Sequence, residues 1–105
     1  MKASATGEND LVIESVHLKH GAMQYRAINN PLRQKILRLL HAKNRMTVTE
    51  VYITMKLEQS VASQQLAILR RAGFVGTERV GKFIYYFVNY TRLSQIHSIT
   101  KELLN

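Results

Sequence analysis

The side chains able to do chemistry in this 105-residue chain are few and unevenly placed. Seven Asp and Glu and four His are dispersed along it, and no pair has a spacing tied to a catalytic motif. No glycine-rich loop that could cradle a phosphate is present. The chain has no cysteine, which removes disulfides, thiolate zinc sites, cysteine nucleophiles and thiol redox sensors together. The residues argue against an enzyme and require no cofactor. His17 and His20 stand three apart, close enough to share a zinc ion that His97 could join, but lone helical histidines are more commonly solvated or packed in a core. No metal site is assigned. Positive charge and neutral hydrogen-bonding groups are what the sequence has in quantity. Fifteen Lys and Arg against seven acids give a net charge of +8. A small domain this basic suits a polyanion, because neutralised phosphates release condensed counterions; the plainer reading is a soluble basic surface. The densest polar cluster is Gln59, Ser60, Ser63, Gln64 and Gln65, with Arg71 further along. Ser60, Ser63, Gln64, Ala67 and Arg71 share one stripe of a helix, opposite an apolar stripe of Ala62, Leu66 and Leu69. Glutamine can pair with adenine through two hydrogen bonds, and serine serves bases or phosphates. A solvated helix face carries the same residue types, so the surrounding elements must decide.

Residues 1–9 are small and polar and form an N-terminal tail, leaving 10–105 as one domain, a length that supports a single buried core. From Asp10, a plausible N-cap, Leu11, Ser15, Leu18, Ala22 and Tyr25 recur at helical spacing within a wide apolar face, and Gly21 weakens the middle. Asn30-Pro31 opens a second helix carrying Leu32, Ile36, Leu39 and Leu40 on one face. Thr47 to Glu50, TVTE, fits a capping box and opens a short helix with Val48, Val51, Tyr52 and Met55 inward. A connection of about four residues leads to the helix bearing the polar cluster, which Gly73 stops. Two β-prone runs, 74–80 and 83–88, meet at Gly81-Lys82, a tight hairpin turn with Gly at its first central position. The second run, FIYYFV, is apolar on both faces, so both should be covered or lie at an interface. A last helix, roughly 91–104, sets Leu93, Ile96, Thr100 and Leu103 on one side.

The order is helix, helix, helix, turn, helix, two-stranded ribbon, helix. The predicted fold is mainly α with a two-stranded β wing, a winged helix-turn-helix. In such a fold the second helix of the pair enters the major groove and reads bases with its N-terminal residues. That gives Gln59, Ser60, Ser63, Gln64, Gln65 and Arg71 a job on duplex DNA. Arg79 and Lys82, at the hairpin tip, can lie along phosphates or enter the minor groove. Arg33, Lys35, Lys43, Arg45 and Lys56 are further candidates for backbone contacts.

Three segments carry a family resemblance. AINNPLRQKILRLL, residues 27–40, resembles the "ALADPTRLRILRLL" helix of the ArsR/SmtB (arsenic-repressor) family of bacterial repressors. LEQSVASQQLAILRRAGFV, residues 57–75, resembles that family's "LSQSTVSRHLKVLREAGLV" recognition segment, and RVGKFIYYFVN, residues 79–89, resembles its "RREGRWVYYRLN" wing. The match spans roughly residues 25–90, in order. It implies a homodimeric winged-helix repressor that binds a palindromic operator and releases it when an effector binds. The family often has Ser where this chain has Glu58 and His where it has Gln65. Its metal motifs do not carry over: Thr47-Val-Thr-Glu50 stands where the family has Cys-Val-Cys-Asp, and residues 90–105 offer only His97 and Glu102.

The leftover apolar faces fit the dimer that the resemblance implies. Leu11 and Leu18 on the first helix, with Leu93, Ile96, Thr100 and Leu103 on the last, exceed the needs of a small three-helix core. A two-fold dimer would bury both and space its recognition helices about one DNA turn, roughly 34–36 Å, apart. The expected partners are double-stranded DNA and a second copy of the chain, with the effector unidentified. No apolar run approaches the roughly 20 residues of a membrane helix, and MKASATGEND lacks the apolar stretch of a secretory signal, so the chain is expected in the cytoplasm. The competing reading is a winged-helix module for protein or RNA, indifferent to duplex sequence. The polar Ser, Gln and Arg stripe argues against a purely protein-binding helix, because interface cores favour aromatic and apolar anchors.

Overall fold

The computed structural model describes residues 23–95. Residues 23–28 are helical and are followed by α1 (Pro31–Lys43), β1 (Met46–Thr47), α2 (Val48–Met55), α3 (Gln59–Arg71), β2 (Val75–Val80), β3 (Phe83–Val88) and α4 (Tyr90–Ser94). The helix-turn-helix pair is α2 and α3, and the wing is the β2–β3 hairpin.

Local chemistry sets the boundaries. Asn30 Oδ1 accepts from the Arg33 amide at 3.0 Å, with Pro31 in the first turn, where its missing N–H is no loss. At α2 the capping box is complete. Thr47 Oγ1 accepts from the Glu50 amide at 3.1 Å, and Glu50 Oε1 accepts from the Thr47 amide at 2.9 Å. The turn from α2 to α3 passes through Lys56 in the left-handed region (φ 57°, ψ 45°), a conformation that glycine more commonly supplies. Ala72 caps the far end of α3, and Gly73 follows at φ 86°. Asn89 starts α4 by accepting from the Arg92 amide at 3.1 Å, while its Nδ2 donates to Gly73 O at 3.0 Å. One side chain thereby ties the end of the wing to the end of α3.

The sheet has three antiparallel strands in the order β1-β3-β2, one more than the ribbon read from the sequence. Met46 and Thr47 pair with Tyr86 and Tyr85. A two-residue strand has no alternation to read, and only docking of the wing root beside α2 reveals it. In the hairpin, Val80 faces Phe83 across Gly81-Lys82. Gly81 has φ 62° and Lys82 is not in the positive region, as expected of a II′ rather than an I′ turn.

Ile28, Ile36, Leu37, Leu40, Val51, Leu66, Leu69, Phe74 and Leu93 are fully buried and form one core with Ala62, Val75 and Val88. Each such aliphatic or aromatic side chain is worth about 1.5–3 kcal/mol when removed from water. Ala62, Leu66 and Leu69 form the expected buried stripe of α3. Leu37 lies outside the α1 face read from the sequence, yet is as buried as Ile36, so α1 is covered over a wider arc than a single stripe.

One expectation needs correcting. Leu93, assigned to a dimer interface, is fully buried within the chain's own core, which leaves it no surface for a partner. The FIYYFV strand is uncovered toward the wing tip among the described residues, which leaves the interface alternative for that stretch. Phe83 and Ile84 are 50% and 48% exposed, and burial is reached only at Val88, where the strand passes over the core. The remaining assigned interface positions (Leu11, Leu18, Ile96, Thr100 and Leu103) lie outside the described residues, as do His17, His20, His97 and the tail 1–9.

Candidate nucleic-acid interface

The core side of α3 fixes what its other side can present. With Ala62, Leu66 and Leu69 locked inward, Gln59, Ser60, Ser63 and Gln64 are exposed in the first turns of the helix. None of the four has a side-chain hydrogen bond to another described residue, so their donors and acceptors are open for an incoming partner. Glu58 occupies the N-cap position but its side chain makes no capping bond. Its exposed carboxylate therefore sits at the mouth of the helix, where the helix dipole favours negative charge but an approaching phosphate does not.

Two cluster members behave differently. Gln65 is half-buried, and its Oε1 accepts from Arg33 Nη1 at 2.8 Å. Its amide oxygen is engaged inside the protein, because α1 meets α3 at that turn. Arg71 is exposed but lies in the last turn of α3, about 12 Å along the axis from Ser63 at a rise of 1.5 Å per residue. It faces the helical residues 23–28 across a cavity that it lines with Arg26 and Arg33.

The wing supplies the second patch. Arg79 and Lys82 are exposed at the hairpin tip. Arg79 Nε donates to Gly81 O at 3.1 Å, folding the guanidinium back over the turn, and Lys82 Nζ lies 5.5 Å from the Phe83 ring centroid. The wing root is tethered by Arg45, whose Nη1 is 2.9 Å from Glu78 Oε1 and whose guanidinium carbon is 4.4 Å from the Tyr85 ring centroid. The pair is exposed and contributes at most about 1 kcal/mol, but it holds the wing against the segment leading into α2. Arg45 thus works on the wing rather than as a free cation. Lys35, Lys43 and Lys56 are exposed. Arg33 is the residue whose role the sequence misplaced. It donates to Ala27 O, to Arg26 O at 3.1 Å and to Gln65 Oε1, binding helical residues 23–28 to α1 and α3.

A polar, unpartnered helix face after a capped helix and a short turn, beside a basic β hairpin, is the arrangement that fits a DNA groove. Comparison with known proteins agrees. Residues 28–78 match the sequence profile described as a helix-turn-helix domain. The repressor SdpR of Bacillus subtilis is 36% identical over an alignment covering 66% of this chain and 76% of SdpR. The repressor PagR of Bacillus anthracis is 31% identical over 83% of this chain and 87% of its own length, and its crystal structure superposes with a TM-score of 0.68, covering 85% of this chain and 98% of that one. The chain belongs to the ArsR-type winged helix-turn-helix transcriptional regulators. A fold likeness extends to the homodimeric DNA-binding domain of Mb0332 from Mycobacterium bovis, a possible ArsR-family regulator, with a TM-score of 0.74 at 22% identity over 100% of this chain and 94% of that one.

This ArsR-type protein is a DNA-binding transcription regulator and not an enzyme. Among the described residues, no three His, Asp or Glu come together as a metal site, and no helix is long and apolar enough to cross a membrane. Sequence reasoning placed Gln59, Ser60, Ser63 and Gln64 on the exposed face of α3 and Arg79 and Lys82 at the exposed wing tip, and missed the internal work of Arg33, Gln65 and Arg45. No local signal marks the Arg33–Gln65 and Arg45–Glu78 bonds, because each joins residues more than 30 positions apart on different elements.

Proposed function

We propose that this regulator acts in the cytoplasm as a homodimeric repressor on a palindromic operator. Gln59, Ser60, Ser63 and Gln64 read base edges in the major groove, while Arg79 and Lys82 hold phosphates or the minor groove at the wing. The observation that carries this reading is the open, hydrogen-bond-ready first half of α3, flanked by exposed cations at the wing. The dimer draws support from the half-exposed Met23 and Tyr25 at the edge of the described helical stretch, and from the homodimeric state of the Mb0332 domain. SdpR and PagR are named repressors, whereas the related HlyU of Vibrio cholerae is named an activator, so the sign of regulation is itself an outcome to be measured.

The test is binding to a duplex from the protein's own upstream region against a scrambled duplex, across a salt series. A dimer making about 6–10 phosphate contacts loses roughly 10³–10⁵ in affinity between 50 and 200 mM salt. Preference for the upstream duplex by about 10³ or more at fixed salt establishes specific recognition. Gln64→Ala should relax that preference while leaving the scrambled duplex unchanged. Lys82→Ala should weaken both and lower the salt slope by about one for each monomer's lost contact. Equal, weak binding of both duplexes refutes the proposal in favour of a protein or RNA partner.

A further inference from the structure

We infer that the cavity between helical residues 23–28 and the far end of the recognition helix is a binding site for a small organic anion, and that its occupant acts on α3. The regulatory half of this inference rests on the DNA-binding role proposed above; the binding half does not.

The cavity has a volume of about 340 Å³, within the range of ligand pockets. Its charged lining consists of Arg26, Arg33 and Arg71, and its apolar lining of Met23, Ala27, Ile68 and Ala72. No acid is among these residues. The three carboxylates in the described part of the chain are Glu50, Glu58 and Glu78, which lie on α2, at the start of α3 and in the wing. Three arginines line one cavity with no carboxylate in its lining. Arg26 and Arg71 are exposed and make no side-chain hydrogen bond or ion pair with a described residue, so both planar donor forks are free. Such forks match a carboxylate or a phosphate monoester through paired hydrogen bonds. The apolar floor made by Met23, Ile68 and Ala72 selects against a fully hydrated inorganic ion and in favour of an anion carried on an apolar or aromatic body.

The third arginine supplies the connection to DNA. Arg33 already divides its donors between the carbonyls of Arg26 and Ala27 and the Gln65 side chain on α3. An anion in the cavity competes for that guanidinium. Drawing Arg33 toward the cavity weakens its bond to Gln65, next to the base-reading residues, and loosens the seat of α3. A ligand bound more tightly by the loosened state than by the DNA-competent one lowers operator affinity by the ratio of those two affinities.

The probes are phenyl phosphate and benzoate, with benzyl alcohol as the uncharged counterpart and inorganic phosphate as the bare head, titrated by calorimetry into the full chain at low salt. The expected result is saturable binding of at least one aryl anion, at least tenfold weaker binding of benzyl alcohol and inorganic phosphate, and a loss of tenfold or more in Arg26→Ala and Arg71→Ala. Arg70→Ala removes an exposed arginine next to Arg71 that does not line the cavity, and should bind the probe as the parent does. Arg26 and Arg71 are exposed, so both variants should keep the parent's thermal midpoint, which is checked by circular dichroism.

Absence of saturable binding overturns the site, as does equal binding of benzyl alcohol or full retention of affinity in the Arg26→Ala/Arg71→Ala double variant. If that double variant instead loses DNA affinity and salt slope without any probe present, the two arginines are phosphate clamps and the inference falls. If the parent binds the aryl anion but no duplex, the anion site stands and the DNA-binding proposal is what fails. If the anion binds and operator affinity does not change, the site stands and its regulatory half is overturned.

Discussion

Arg33 offers the most direct test of how the DNA-reading helix is held in place. Its guanidinium donates to Ala27 O, to Arg26 O at 3.1 Å and to Gln65 Oε1 at 2.8 Å, so Arg33→Ala removes one charged donor from three acceptors. Ala27 is buried and Gln65 half-buried, whereas the bond to Arg26 is exposed and contributes little. Hydrogen bonds to charged groups are worth about 1.5–3 kcal/mol, and the two to Ala27 and Gln65 are only part-buried, so about 1–2 kcal/mol each places the loss at roughly 2–4 kcal/mol. A domain of this size has only about 5–15 kcal/mol in total. With a urea dependence of about 2 kcal/mol per molar, the midpoint should fall by about 1–2 M. The assay is urea unfolding followed by circular dichroism on the parent, Arg33→Ala, Gln65→Ala and the double variant, at one protein concentration because any dimer makes stability concentration-dependent. The cycle should return a coupling of about 1–2 kcal/mol between Arg33 and Gln65. A loss below about 0.5 kcal/mol in Arg33→Ala, or additivity of the two changes, would show that the guanidinium does not hold α3, and the regulatory link drawn from it would go too.

Three further changes probe other parts of the molecule. Thr47→Ala removes the Oγ1 acceptor of the capping box while keeping the backbone donor to Glu50, and should destabilise the fold by about 1 kcal/mol in the same unfolding assay, whereas Thr49→Ala, exposed and outside the box, should be near neutral. Lys56→Gly relieves a left-handed lysine between α2 and α3 and should raise stability by up to about 1 kcal/mol; a loss would mean the lysine side chain does more than cover the turn. Glu58→Ser should act in two ways, adding an N-cap worth about 0.5–1 kcal/mol and removing a carboxylate from the mouth of the recognition helix. Duplex affinity should therefore rise in a titration at low salt and the gain should shrink at high salt; a gain that does not depend on salt would place Glu58 away from the phosphates.

What the sequence determined by itself is the set of local, self-sufficient signals. Asn30-Pro31, the Thr47–Glu50 capping box, the apolar stripe of α3 and the Gly81-Lys82 turn each depend on residues within a few positions of one another, and each is where the pattern put it. Because the buried stripe of α3 is local, its polar complement is local too, which is why helical periodicity alone places Gln59, Ser60, Ser63 and Gln64 on an outward face. Tertiary structure decided everything that depends on which elements cross. Gln65 and Gln64 are the same residue type one position apart, yet one bonds to Arg33 and the other is free, because α1 crosses α3 at that turn. Leu93 has the pattern of an interface residue and is core, because it joins the same buried cluster as Ile36, Leu40, Phe74 and Val88. Arg26, Arg33 and Arg71 are scattered through the sequence and share a cavity only because α3 ends beside helical residues 23–28. Helical periodicity tells which side of an element faces inward; it carries no information about the neighbour on that side, and the choice of neighbour is what turns an arginine into a latch, a tether or a ligand.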